Sequence, residues 1–413
     1  MPAWLEEVPF VMAYRVAKML ATGSYKTKTT TASLPATFMR GGTSNGLLIH
    51  RHHLPADREK WQPILSSCMG SPDHYGRQLN GMGSGLSSTS KIIVVSKSSR
   101  PDVDVDYTFV QVDIKTGELD MAGNCGNMSS AVGPFAVNEG LITPAAPNPR
   151  DHNDDDNVTV KMFNTNTSKT IYSTFPVTTQ TNQAGKLKFD PIGSYAISGV
   201  PSTGSLITLS FLHPGGATTG RTLPTGNPVD TLTLPDGSEI EATLTDIANP
   251  GVFVRAEDIG VNGDVLPDTL GKDAGLMARL ETSRRAGARK MGLDPEVQSV
   301  PKIVLLSSPT DEEVEVGVNI VCRALSMQQP HRAVPLTLAL NLGVSCGVEG
   351  TLGEQLAVGV DGGKKEGKGR VVIAHPSGHV EVGFTRGEDG EVQSAELGRT
   401  ARVLMRGEVE YLV

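Results

Sequence analysis

The chain has 413 residues, among them 46 glycines and 26 prolines, with 5% aromatic and 20% charged residues and a net charge of −8. That length exceeds one compact core and asks for two domains, in a composition tilted toward strands and turns. The acidic balance argues against nucleic acid or an anionic membrane as the main partner, and no apolar stretch is long enough to span a bilayer.

Residues 8–20 are mildly amphipathic and are followed by Lys26 and Lys28. Glu6 and Glu7 argue against a mitochondrial presequence, so residues 1–33 read as an N-terminal extension of a cytoplasmic protein. The ordered fold is expected from about Leu34. Strand-like runs then dominate, at 46–50, 91–96, 107–114, 158–163, 205–212, 302–306, 314–321 and 370–374. Helices are fewer: a segment after Cys125 closed by Gly140, residues 268–291, and residues 333–342 closed by Gly343. Residues 151–157 and the trio His50, His52 and His53 read as solvated turns, and residues 359–370 as a Gly/Lys-rich hairpin.

An internal echo runs through this order. Lys91-Ile-Ile-Val-Val-Ser96 is matched by Lys302-Ile-Val-Leu-Leu-Ser307, and each is followed by an acidic region, a strand, a polar loop and an apolar helix. Two copies of one α+β unit are implied, with a ligand in the cleft between them facing both helix N-termini.

Three glycine-rich segments imitate known motifs. Gly42-Thr43-Ser44-Asn45-Gly46 fits a serine-hydrolase elbow but leads into a strand instead of a helix. Residues 362–368 lack the Ser/Thr of a phosphate loop. Gly81-Met82-Gly83-Ser84-Gly85 has no strand leading into it, as a dinucleotide site requires; with the hydroxyls up to Ser90 it reads better as a cradle for a carboxylate.

Two residues carry the chemistry. Cys125, in Gly123-Asn124-Cys125-Gly126-Asn127, stands where a loop turns into a helix, and the free N–H groups there attract anions and favour a thiolate. The asparagines can cap the helix or bond a substrate. Lys91 opens an apolar strand, where desolvation lowers an amine's pKa and makes it a base. The other cysteines, Cys68, Cys322 and Cys346, read as structural thiols in a reducing compartment. The absence of C-x-x-C and H-E-x-x-H patterns argues against zinc.

Arg40-Gly-Gly-Thr43-Ser44, Ser87-Ser88-Thr89-Ser90-Lys91, the Cys125 loop, Pro214-Gly-Gly-Ala-Thr-Thr219-Gly220, Ala248-Asn249-Pro250, Leu325-Ser-Met327 and His375-Pro-Ser377-Gly378 together resemble the PrpF family of the diaminopimelate-epimerase-like superfamily. The resemblance implies an α+β fold of two similar domains, each a curved, mostly antiparallel sheet wrapped around a central helix. Domain one would span 34–205 and be completed by 385–413, and domain two would span 206–384. It also implies cofactor-free isomerisation of unsaturated di- or tricarboxylic acids such as aconitate or methylaconitate, with proton transfer on Lys91 and Cys125 in either assignment. Asn249 aligns with the family's substrate-binding Asn-Pro. Thr43, Ser44, Ser88, Thr219, Met327, His331, His375, Ser377 and Gly378 are further carry-overs, joined by Asn124, Gly126 and Asn127 of the cysteine loop.

Two departures matter. The family usually has lysine where this chain has Asn45, which removes a positive charge and would bear on the acid bound. No cysteine stands in the second half where a two-thiol epimerase places its partner, which favours allylic isomerisation over racemisation. A non-catalytic binding protein for such acids is the other reading, and a homodimer is admitted as the assembly.

Overall fold

The computed structural model describes residues 30–142, 157–179, 186–360, 367–388 and 390–413. Most of the expected extension (1–33), the acidic loop at 151–156 and the heart of the Gly/Lys-rich loop and phosphate-loop lookalike (361–366) lie outside the described residues.

The first half contains β1 (Thr31–Gly41), β2 (Ser44–His50), α1 (Trp61–Met69), β3 (Lys91–Lys97), β4 (Val105–Val112), α2 (Gly126–Asn138), β5 (Asn157–Asn164), β6 (Lys169–Thr179) and β7 (Ile207–Leu212). The second contains β8 (Glu239–Ile247), β9 (Asn249–Arg255), α3 (Ala274–Lys290), β10 (Lys302–Ser307), β11 (Ile320–Ser326), α4 (Leu336–Ser345), β12 (Gly367–His375), β13 (Gly378–Arg386), β14 (Val392–Arg399) and β15 (Ala401–Leu412).

The strand pairing repeats. In the first half β1 and β2 are antiparallel, β2 and β3 parallel, β3 and β4 antiparallel, β4 and β5 parallel, and β5–β6–β7 antiparallel. The second half runs β8 to β14 through the same sequence of pairings. Antiparallel pairing of β7 with β14 joins the halves, and β15 returns to pair with β1. Each half wraps its sheet around one helix that is buried on every side: α2 from Gly126 to Val137 and α4 along its whole length. A helix with no polar face cannot sit at a surface, so the sheet must close around it. One apolar core, containing Phe135 of α2 and Leu340 of α4, runs through both halves.

Several boundaries differ from expectation. β1 starts at Thr31, inside the expected extension, because residues 31–33 pair with 410–412. The stretch 314–321 is not one strand: a capping box of Thr310 and Glu313 starts a helical turn, Asp311–Glu315, and pairing begins only at Ile320. Alternating valine and glutamate there imitates a strand, yet Val316 is 79% exposed. Residues 268–291 break at Gly271, and Asp273 caps a fresh helix by accepting the Leu276 N–H. Helix α4 starts three residues later than expected and runs through Gly343, which permits close packing rather than a stop, since a Cβ there would lie 2.7 Å from Val382 Cγ1.

Candidate active site

The two matching lysines occupy equivalent places in the two sheets. Lys91 opens β3 opposite Gly46 of β2, and Lys302 opens β10 opposite Gly251 of β9. Lys91 is 7% exposed. Its Nζ donates to Gln111 Oε1 at 2.6 Å and lies 5.1 Å from the Phe109 ring centre, while Gln111 is itself anchored by donating to the Ser87 and Ser90 carbonyls. Burial pulls the Lys91 ammonium below its ordinary pKa, against the opposing pull of Cys125 and Asp120.

Cys125 is the N-cap of α2. Its loop is clamped from the other half by Asn249, which accepts the Asn124 N–H at 3.0 Å and donates to the Asn124 carbonyl at 2.7 Å and to Thr337 Oγ1 at 3.1 Å. Asn124 also donates to the Tyr107 hydroxyl at 3.0 Å. The first turns of α2 and α4 meet here: a Cβ on Gly126 would lie 2.3 Å from Leu336 Cδ2. Two sets of unpaired helix N–H groups, each at the positive end of a helix dipole, thus border one space.

That space is a cavity of about 30 Å³, lined by Lys91, Cys125, Lys302 and His331 together with Ser44, Ser88, Asn124, Gly126, Asn127 and Met327. It is about the size of one water. The walls of Ser87, Ser88 and His331 divide it from a cavity of about 220 Å³ that Thr43 and Ser377 also line. Ser87, Gln111 and Met327 border another of about 400 Å³. Met327 and Gln328 form a two-residue hairpin tip with φ of 52° and 57°, a left-handed backbone that neither side chain favours.

Burial, reinforced by the charges of both lysines, pushes His331 down to about 4, so it is neutral at physiological pH. Its Nδ1 accepts the Ala333 N–H at 3.0 Å, which leaves Nε2–H as the donor. Asn127 links the site to a buried cation: its Nδ2 donates to Thr43 Oγ1 at 3.1 Å, and its Oδ1 accepts from Arg399 Nε at 3.1 Å.

Seven expected residues do not line this cavity; two of them, Thr43 and Ser377, line the cavity of about 220 Å³ beside it. Asn249 acts from behind, through the loop. Asn45 points to the opposite face of β2 from Ser44, the face where Leu47 and Ile49 meet Trp61, so the missing lysine charge does not face the cavity. Thr219 is bound to Asp246, accepting no ligand-facing role. His375 accepts the Ser377 N–H, and burial pushes it down to about 3. Gly378, at φ 132°, makes room for Ser198 Oγ, which a Cβ would approach to 2.5 Å. Cys322, as expected of a structural thiol, is buried and pushed up to about 12. Lys302, Gln111 and Thr337 were not among the candidates; the repeated Lys-plus-apolar strand was the available signal for Lys302.

The PrpF protein family matches residues 31–412. The chain belongs to this family. The 2-methyl-aconitate isomerase of Cupriavidus necator is 37% identical over 397 residues, covering 91% of this chain and 96% of that protein. The crystal structure of methylitaconate-delta-isomerase is 34% identical with a TM-score of 0.69, covering 92% of this chain and 96% of that one. A hydroxyproline epimerase from Agrobacterium vitis, with trans-4-hydroxy-L-proline bound, shares the fold at 10% identity with a TM-score of 0.52, covering 92% and 93%. This PrpF protein is therefore an α+β isomerase. Among its described residues no helix is long and apolar enough to cross a membrane.

Proposed function

We propose that this PrpF protein shifts a carbon–carbon double bond by allylic proton transfer in an unsaturated di- or tricarboxylic acid, without a cofactor, and that aconitate (cis to trans) or a methylaconitate-like acid is its substrate. The observation that supports this reading is the convergence of Lys91 and Cys125 on one cavity bordered by two helix N-termini.

Such a reaction removes a proton from the carbon next to the double bond. The electron pair delocalises into the allyl unit and the attached carboxylate, and a proton returns to the far carbon. Burial biases Lys91 toward the neutral amine, which suits it to take the first proton. The Cys125 thiol then supplies the second, becoming a thiolate beside the helix N-terminus, and transfer of the lysine's extra proton to that thiolate resets the pair. The helix N–H groups and the neutral His331 supply donors where negative charge accumulates.

The test is proton NMR in D2O with cis-aconitate, 2-methylaconitate and oxalomesaconate. Deuterium should enter the allylic positions of at least one acid as it isomerises, and Lys91→Ala and Cys125→Ser should abolish or slow this. If no acid exchanges with the intact protein the reading fails; tight binding without exchange would favour an accessory protein.

A further inference from the structure

Lys302 has no part in the proton transfer above, yet it lines the same cavity as Lys91 and Cys125. Among the described residues its ammonium has one hydrogen-bond partner, the Ser299 carbonyl. Ser299 is held across the interface between the halves, its hydroxyl donating to Asp120 Oδ1 at 2.7 Å and its N–H donating to Oδ2 at 3.1 Å. Asp120 thereby spends its carboxylate on Ser299 and the Ala122 N–H and acts on the lysines only at longer range; among the described residues neither lysine has an Asp or Glu at ion-pair distance. A shielded ammonium at Lys302, beside the Lys91 amine and one small cavity and without a carboxylate at ion-pair distance, is costly unless an anion compensates it. The register explains why the two differ. Lys91 faces Gln111 across the β3–β4 pair, and Gln111 reaches its Nζ. Counting on from the Val304–Ala324 pair puts Ser326 opposite Lys302, and its short side chain leaves the ammonium with donors to spare.

Resting on the isomerase reading above, we infer that Lys302 binds one carboxylate of the substrate from the second half of the molecule, while Lys91 works at the reacting carbon from the first. The site is thereby selective for an acid with a carboxylate beyond the one conjugated to the reacting allyl unit. Burial draws Lys302 down to about 8 despite the opposing pull of Asp120 and Cys125, which leaves it charged at neutral pH and places the loss of that charge just above it.

The test compares wild type with Lys302→Met, an apolar near-isostere, and Lys302→Gln as a second variant. Steady-state kinetics on the best tricarboxylic acid should show KM raised about tenfold or more with kcat changed much less, as expected for losing a charge-assisted hydrogen bond. The preference for a tricarboxylate over the dicarboxylate lacking one carboxyl should collapse, and the weakening of binding as pH rises through about 8 should disappear. Thermal melts should show Lys302→Met at least as stable as wild type without acid, which a purely structural lysine would not give. Unchanged KM and unchanged discrimination in the variants, with an active wild type, would overturn the inference; so would a fall in kcat alone, which would make Lys302 a proton-transfer group. An inactive wild type would sink the isomerase reading instead. Even then the rise in Tm caused by trans-aconitate reports on Lys302: its loss in both variants supports the anchor, and its persistence refutes it.

Discussion

The two halves share a strand order, a lysine at the start of the third strand beside a glycine, and a buried helix whose first turn borders the same cavity. Their differences lie at a few positions around that cavity. The first half caps its helix with Cys125 and the second with Pro335, which has neither a thiol nor an N–H. The first supports its lysine with Gln111; the second leaves Lys302 with a backbone carbonyl. A sheet wrapped around a helix supplies the same frame twice, and on the reading proposed above a handful of side chains assigns proton transfer to one copy and anchoring to the other. The halves also cross-brace: Asn127 bonds Thr43 within the first half, whereas Asn249 of the second reaches back to hold the Cys125 loop of the first.

If that division of labour holds, Lys91→Ala should lower kcat by about a thousandfold with little change in KM, the range for losing a general base. A change of similar form on replacing Lys302 would break the comparison. The glycines opposite the lysines sharpen it structurally. A Cβ on Gly46 would sit 2.2 Å from the Lys91 carbonyl oxygen, which is backbone and cannot step aside, so Gly46→Ala should cost about 3 kcal/mol or more in urea unfolding. On Gly251 the obstacle is the Phe253 ring at 2.7 Å, a side chain rather than backbone, so Gly251→Ala should cost less, about 1–2 kcal/mol. Equal costs would mean that the two strand pairs are packed alike after all.

Asn249→Ala removes three buried hydrogen bonds and leaves the Asn124 N–H without its acceptor, which should destabilise by about 2–3 kcal/mol and lower kcat through a displaced Cys125. Normal kcat in a folded variant would show that the first half positions its cysteine without help from the second.

The smallest effect is a pH dependence. Lys302 titrates near 8 in the folded protein and near its ordinary value of about 10.4 when unfolded. Between those values the unfolded chain holds the extra proton, so folding stability should rise with pH across that window, by on the order of 1 kcal/mol. Lys302→Met should show a smaller rise than wild type in denaturant titrations at pH 7 and pH 10, with the buried Lys91 supplying the remainder.

Much of the candidate site was legible in the chain because its motifs are local. A glycine–asparagine loop around Cys125, and a lysine at the head of an apolar run, show their chemistry within a few residues. The repeat was legible too, since Lys302-Ile-Val-Leu-Leu copies the earlier strand. Other features misled because a local pattern fits two structures: valine–glutamate alternation at 314–318 suits a strand until Thr310 and Glu313 cap a helical turn, and Gly343 resembles a helix stop although it is a packing contact against Val382.

Local sequence therefore determined which residues could act as acid and base, and that the fold is built twice, because side-chain chemistry and strand periodicity are carried by neighbouring residues. Tertiary structure alone decided which of the candidates meet. The face of β2 turns Asn45 away and Ser44 inward; strand register makes Lys302 the counterpart of Lys91; and Asn249, far along the chain, holds a loop whose cysteine it never touches through the cavity. Register and facing depend on pairings between distant segments, and no short stretch of sequence contains them.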